Sequence, residues 1–292
     1  MTSENALGGF LRARRELIKP KDVGIATRGR RRVPGLRREE LAMLAGISTD
    51  YYLRLEQGRD RNPSDQIINS LAGALMLNEE AAAYLRVLAV SPPPRRRVRR
   101  RPGRVPVGID QLVRLHLDMP AFAHDRYMNV ISANPLAEAL SPCYRVGTNV
   151  LRTTFLNPEI RELYEDWERA AHSLVASVRA LASPDLDDPQ LTELVGDLSI
   201  RSEDFRRLWA RHEVRARTSG TTHLLHPQIG PVSLNFQKLE ITGTERQIIV
   251  IYHVLPGSDA AERMALLANI AATTEQSAPI GAGSPTDRQP GR

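Results

Sequence analysis

The sequence predicts an all-α N-terminal helix-turn-helix bundle followed by an α+β C-terminal domain. Three observations predict this. Two helical patterns meet at a glycine within Leu36–Gly58, LRREELAMLAGISTDYYLRLEQG. Charge is split: residues 1–106 hold 22 Lys and Arg against 11 Asp and Glu, whereas residues 107–292 hold 18 against 23. A basic half joined to an acidic half points to a nucleic-acid module coupled to a module with another task. Three strand-like runs, Val214–Leu225, Gly230–Leu239 and Gln247–Leu255, lie late in the acidic half, separated by turn residues.

In the basic half, Leu7, Phe10, Leu11, Leu17 and Ile18 give a first helix with Arg12, Arg14 and Arg15 on its polar side and Pro20 as its stop. The segment Lys21–Pro34 carries Arg28, Arg30, Arg31 and Arg32, and reads as a solvated loop or as one lying along phosphates. Leu36, Leu41, Leu44 and Ala45 recur at helical spacing and form one apolar stripe. Gly46 ends that helix, because glycine takes positive φ without steric cost. Ile47 plugs the corner, and Ser48 caps a second helix over Thr49–Gln57. Its inward face is Tyr52, Leu55 and the packing side of Glu56; its outward face is Thr49, Asp50, Tyr51, Leu53 and Arg54. Arg37 and Arg38 open the preceding helix with the wrong sign for its dipole, which suggests compensation by a polyanion. Ser64 caps a fourth helix through Ile67, Ile68, Leu71 and Leu75, and Asn78 a fifth through Ala82, Leu85, Leu88 and Ala89.

Residues 1–90 thus form one expected domain. Residues 91–106, SPPPRRRVRRRPGRVP, are the expected linker, held extended by proline and made polybasic by arginine. The expected second domain, 107–272, starts with a short amphipathic helix at Ile109–Leu117 and a hairpin over Pro120–Ala133 turning at His124–Arg126. A short helix follows from Asn134–Pro135 to Leu140, then a long one over Asn157–Leu181. Further helices span about Asp188–Leu198, Ser202–His212 and, after the strands, Ala260–Ala272. Residues 273–292 are polar and Gly/Pro-rich, an expected disordered tail.

Several function classes find no support in the sequence. No run of 18 apolar residues suggests a membrane span, and MTSENALGGF lacks the build of a secretion signal. Cys143 is the sole cysteine, which fits a reducing cytoplasm. The chain has no phosphate-binding loop, dinucleotide fingerprint, zinc-protease motif or nucleophile elbow. His223, His226 and His253 are better read as ordinary polar or turn histidines than as a metal site. No catalytic residue, cofactor or metal is expected.

The pattern L-A-x-x-A-G-I-S-x-x-Y-x-x-x-L-E-x-G, from Leu41 to Gly58, resembles the lambda-repressor-like, XRE-type helix-turn-helix family. The blocks FLNPEIRELYEDWERAA, SEDFRRLWARHEVR, HPQIGPVSLNF and LPGS resemble the ligand-binding domain of MmyB-like transcription regulators over about residues 107–270. That resemblance implies a PAS-like fold around a largely apolar pocket, which in one member type is associated with a fatty acid.

The first resemblance implies base contacts from Thr49, Asp50 and Arg54, with Ser48 and Tyr51 nearby, and phosphate contacts from Arg37, Arg38 and Arg61. Arg54 suits guanine and Asp50 suits cytosine. Phe122, Trp167, Phe205, Trp209 and His212 are the candidate ligand contacts, with Trp209 and His212 read as sharing one helix face. The expected protein is a cytoplasmic, homodimeric regulator of double-stranded DNA that senses a small apolar molecule such as a fatty acid, with no membrane partner. The alternatives are an enzyme carrying an autoregulatory DNA-binding domain and a ligand-independent dimeric repressor. The charge split makes one direct prediction: a fragment of residues 1–106 binds duplex DNA with an affinity that falls steeply as salt rises. Fluorescence anisotropy across a salt series checks it, and a folded fragment without salt-dependent binding refutes it.

Overall fold

Caps and turns set the start of each helix in the basic half. The computed structural model describes residues 5–26, 31, 33–60, 62–90, 104–115, 118–182, 188–215 and 217–277. Helix α1 (Ala6–Leu17) starts at Asn5, whose side chain accepts from the Gly8 N–H. Helices α2 (Arg38–Leu44) and α3 (Thr49–Glu56) form the helix-turn-helix, hinged at Gly46 with φ +66°. Ser48 accepts from Tyr51 N at 3.1 Å and so caps α3. Helices α4 (Asp65–Ala74) and α5 (Glu79–Ala89) are capped by Ser64 and Asn78, as their side chains suggest.

The core of this half is Phe10, Leu11, Leu36, Leu41, Tyr52, Leu55, Leu71, Leu75 and Leu85, all fully enclosed. Two leucines expected inside face outward: Leu17 is 41% and Leu44 37% exposed, and Ala42 takes the inward place beside Leu41. Leu36 is buried but precedes α2. On α5 the inward face includes Tyr84, which the spacing did not pick out.

Arg15, expected on the polar side, is buried because Glu56 is. The Glu56 carboxylate accepts from Arg15 Nη2 at 2.9 Å and from Arg38 Nε at 2.6 Å, with Arg12 Nε at 3.3 Å. Arg15 also donates to the Leu36 carbonyl at 2.7 Å. One carboxylate thus ties α1, the α2 approach and α3 together. Burial pushes the Glu56 carboxyl up, but hydrogen bonds from Arg38 and Arg15 outweigh it and hold it below the usual range. The expected polyanion compensation at the start of α2 is therefore supplied internally, by Glu56 for Arg38 and by Glu39 for Arg37. Arg31 of the basic loop is likewise folded back, bonding both Glu40 oxygens at 2.8 and 2.6 Å. Arg28, Arg30, Arg32, Arg61 and most of the linker, 91–103, lie outside the described residues. Beside this charge cluster, Gly8 has no substitute: a Cβ there would lie 2.2 Å from the Glu56 carbonyl oxygen.

The acidic half is an α+β domain. Helix α6 (Val107–Leu115) precedes a hairpin of β1 (Ala121–His124) and β2 (Val130–Ala133), then α7 (Pro135–Leu140). Helix α8 (Val150–Leu156), capped by Asn149, escaped the sequence reading. The long helix expected over 157–181 is two, α9 (Pro158–Leu163) and α10 (Trp167–Ala182). The break is Tyr164, whose extended backbone bridges to Leu224 while Glu165 N donates to the His223 carbonyl. Helices α11 (Pro189–Arg201) and α12 (Glu203–Ala210) follow. Strands β3 (Ser219–His226), β4 (Gly230–Glu240) and β5 (Ile248–His253) form the expected meander and complete an antiparallel sheet of order β2-β1-β5-β4-β3. Helix α13 (Asp259–Ser277) carries the chain beyond the expected start of the tail at 273; residues 278–292 lie outside the described residues.

The sheet has one face on the main core and one under α6. Val232, Leu234 and Phe236 of β4 share the core face with Ile248, Val250 and Tyr252 of β5. Ile249 and Ile251, alternating with these, pack with Val113 of α6 on the other face. The halves also touch: Val214 and Ala180 pack into the core of the helical half.

Replacing Glu56 with Ala would leave Arg15 buried without its counter-charge. We expect a loss of about 3–5 kcal/mol in the helical half, measured by urea unfolding. Because the Glu56 carboxyl is held low, its contribution is present above the free carboxyl value of about 4.3 and disappears as pH falls through the folded value. Glu56→Ala should flatten the acid limb of a stability-against-pH curve; an unchanged limb would rule the assignment out.

Candidate DNA-binding surface and ligand cavity

The exposed side of α3 is polar at its start. Thr49 and Asp50 are exposed, and Tyr51, Leu53 and Arg54 are half-buried. Arg54 Nη1 donates to Asp50 Oδ2 at 2.5 Å, one turn back, and its Nε lies 3.5 Å from Asp60. Its guanidinium carbon sits 5.5 Å from the Tyr51 ring centre. Arg54 is thus held along the outward surface. Arg38 is 42% and Arg37 49% exposed at the side chain, so both retain solvent-facing charge. Ser48 caps α3, while Arg61 lies outside the described residues.

A cavity lies in the acidic half, between the core face of the sheet and α10, with a volume of about 110 Å³. Phe122, Met128, Val150, Leu174, Phe236 and Val250 supply apolar wall. Phe122 stacks on Tyr144 with ring centres 4.3 Å apart. Beneath it the Tyr144 hydroxyl meets that of Tyr252 at 2.7 Å and that of Tyr164 at 3.3 Å. Burial raises all three phenols, Tyr252 to about 12, so each stays neutral and can donate. His124, also on the wall, is held neutral by burial at about 4 and meets the Asp125 carbonyl through Nδ1 at 2.7 Å.

Cations gather on the same wall: Arg169, Arg217 and Lys238 all line the cavity. Burial, then repulsion by Arg217, lowers the Lys238 ammonium to about 8. Its Nζ is 5.6 Å from the Phe236 ring centre, and among the described residues it forms no ion pair. Arg217 is lowered as well, by burial and by Arg215 and Arg169. Lys238 was legible in principle: the alternation Val232, Leu234, Phe236 runs one step further to reach it.

Of the five candidate ligand contacts, the cavity wall includes Phe122 alone. Phe205 is fully enclosed, edge-on to Phe155 at 5.2 Å and stacked with Trp209 at 5.7 Å. Trp167 meets Phe155 edge-on and donates to the Thr154 carbonyl. These rings fill core between helices. His212 does not share a helix face with Trp209, because α12 ends at Ala210 and His212 has φ +50°. It faces the helical half instead, with its ring centre 6.3 Å from that of Phe10. His223 and His226 diverge, to Ser233 and the Ala139 carbonyl respectively. Among the described residues no helix is long and apolar enough to cross a membrane.

A family model described as a helix-turn-helix domain matches residues 6–85. A comparison with curated proteins gives no match. A second family model, described as the MmyB-like transcription regulator ligand binding domain, matches residues 105–267. That model covers more than half of the 292 residues. The chain belongs to the MmyB-like transcription regulators and, with a helix-turn-helix domain ahead of the ligand-binding domain, its domain content is that of a DNA-binding regulator rather than an enzyme.

Proposed function

We propose that this regulator reads double-stranded DNA with α3 and senses a small amphipathic anion, an apolar tail ending in an acid group such as a fatty acid. The observation that carries the sensing half is the meeting of apolar wall with Lys238 and Arg217, neither ion-paired among the described residues. A half-buried cation without an ion-pair partner is partly desolvated at a cost, and an acid group there would offset that cost. The tyrosine hydroxyls supply further donors, and the rings of Phe122 and Phe236 suit a methylene chain.

On the DNA side, Thr49, Asp50 and Arg54 approach base edges, with Tyr51 and Ser48 supporting them. Arg54 exchanges a carboxylate partner for guanine, and Asp50 accepts from cytosine. Arg37, Arg38 and Arg61 serve the phosphates. The protein acts as a homodimer, since helix-turn-helix readers commonly bind paired half-sites, and works in the cytoplasm, where its one buried thiol, Cys143, stays reduced.

Arg54→Ala should cost about 1–3 kcal/mol at the operator and relax discrimination at one base pair. Arg37→Ala should weaken all sequences alike, without the loss of folding that complicates Arg38. Binding to a library of DNA fragments separates the two outcomes; equal, sequence-blind losses would refute the division of roles. For the cavity, dodecanoate binding followed by calorimetry should weaken about tenfold in Lys238→Met, as loss of a charged hydrogen bond implies. Lys238 is charged below its value of about 8, so wild-type affinity should be full at lower pH and fall above that value. A pH-independent affinity, or an undiminished one in Lys238→Met, would show that Lys238 does not hold the acid group.

A further inference from the structure

Helix α10 touches both the cavity and the helical half. Arg169, Ala170, Ser173 and Leu174 line the cavity from its first half. Its second half meets the junction: Ala176 O accepts from Arg215 N at 3.3 Å, and Ala180 packs into the helical core. With 3.6 residues per turn, positions 169, 173, 176 and 180 fall in one row. A single stripe of one helix therefore runs from the cavity wall to the junction.

The junction is built around a buried cation. Arg179 is 4% exposed. Its Nη2 donates to the Trp209 carbonyl at 2.5 Å, its Nη1 lies 3.3 Å from His212 Nδ1, and its guanidinium carbon is 3.8 Å from the Trp209 ring centre. Tyr84 of α5 interacts with it from the helical half. No carboxylate pairs with Arg179 among the described residues, and its Nε has no hydrogen-bond partner. Around it, Phe10 meets His212, and Val214 enters the helical core. The junction is thus closed by apolar and aromatic contact and opposed by a desolvated guanidinium that water would relieve. Such a balance moves under a small bias.

The cavity volume says where a bias would come from. At about 110 Å³ it is well below the roughly 300 Å³ and more of typical ligand sites. An occupant of ordinary ligand size presses on its walls. The sheet side is fixed by the strand ladder and by the Tyr144–Tyr252 hydrogen bond, whereas α10 contributes half-buried side chains.

We propose that α10 is the coupling element of the sensor: filling the cavity displaces it and loosens the junction at Arg179, freeing the helix-turn-helix half from the ligand-binding half. This rests on the sensing reading above for its trigger, and its test separates the two. Hydrogen–deuterium exchange on the full chain follows the amides of 84–89, 176–182 and 211–215, with α4 as a control away from the junction. Ser173→Trp and Thr222→Phe fill the cavity from opposite walls without any ligand; the pair guards against one failing to fold, and thermal melting identifies the folded one. Exchange at the junction should rise about tenfold, with α4 unchanged. A folded variant with unaltered junction exchange overturns the coupling. Dodecanoate is added to the wild type in parallel, with binding followed by calorimetry. Binding without a change at the junction also overturns the coupling and leaves the sensing reading intact. No dodecanoate binding, together with junctions loosened by the filled variants, supports the coupling and removes the fatty-acid reading.

Discussion

The helix-turn-helix half depends on a single buried carboxylate. Glu56 ends the exposed helix yet points inward, where Arg15 and Arg38 close on it. Burying a carboxylate costs several kcal/mol unless cations and hydrogen bonds meet it, and here they come from different helices. The interaction therefore fixes the angle at which α3 leaves the bundle, and with it the presentation of Asp50 and Arg54. The side chain that organises the surface never reaches it.

Much of this was legible in the sequence, and the parts that were not share one physical cause. Local signals worked where local physics decides: Ser48, Ser64, Asn78 and Ser202 cap helices, and Gly46 turns the chain. The sheet meander followed from alternation and turn residues. The failures involve partners distant in sequence. Arg15 looks like a surface residue until Glu56, 41 positions away, is placed beside it. The unbroken helical pattern over 157–181 hides a break because Tyr164 is claimed by Leu224 on β3. The aromatics of α12 looked like cavity wall because their spacing matched a face, yet Phe155, on a helix the reading missed, takes up that face. The cavity is lined instead by tyrosines from three separate segments and by a lysine one alternation step past Val232, Leu234 and Phe236.

The same distinction separates the two functional surfaces. The outward residues of α3, Thr49 to Arg54, are contiguous on one short helix, so a linear motif finds them. The cavity is assembled from strands β1, β3, β4 and β5, helix α10 and the segments that carry Tyr144 and Tyr164, and its polar groups come from positions far apart in the sequence. Its chemistry lies in what those groups lack, a counter-charge for Lys238 and Arg217, and a missing partner has no sequence signature. The Arg179 junction repeats this theme at the far end of α10, where a guanidinium is buried without a carboxylate among the described residues.

Gly8 sets a limit of another kind. A Cβ at that position would sit 2.2 Å from the Glu56 carbonyl oxygen, and the Asn5 side chain would crowd it as well. The close crossing of α1 and α3 therefore admits an alphabet of one letter. Any descendant that keeps this crossing keeps glycine there, whatever operator it comes to read. The outer face of α3 is free to drift, residue by residue, while the close crossing beneath it is barred from drifting at all.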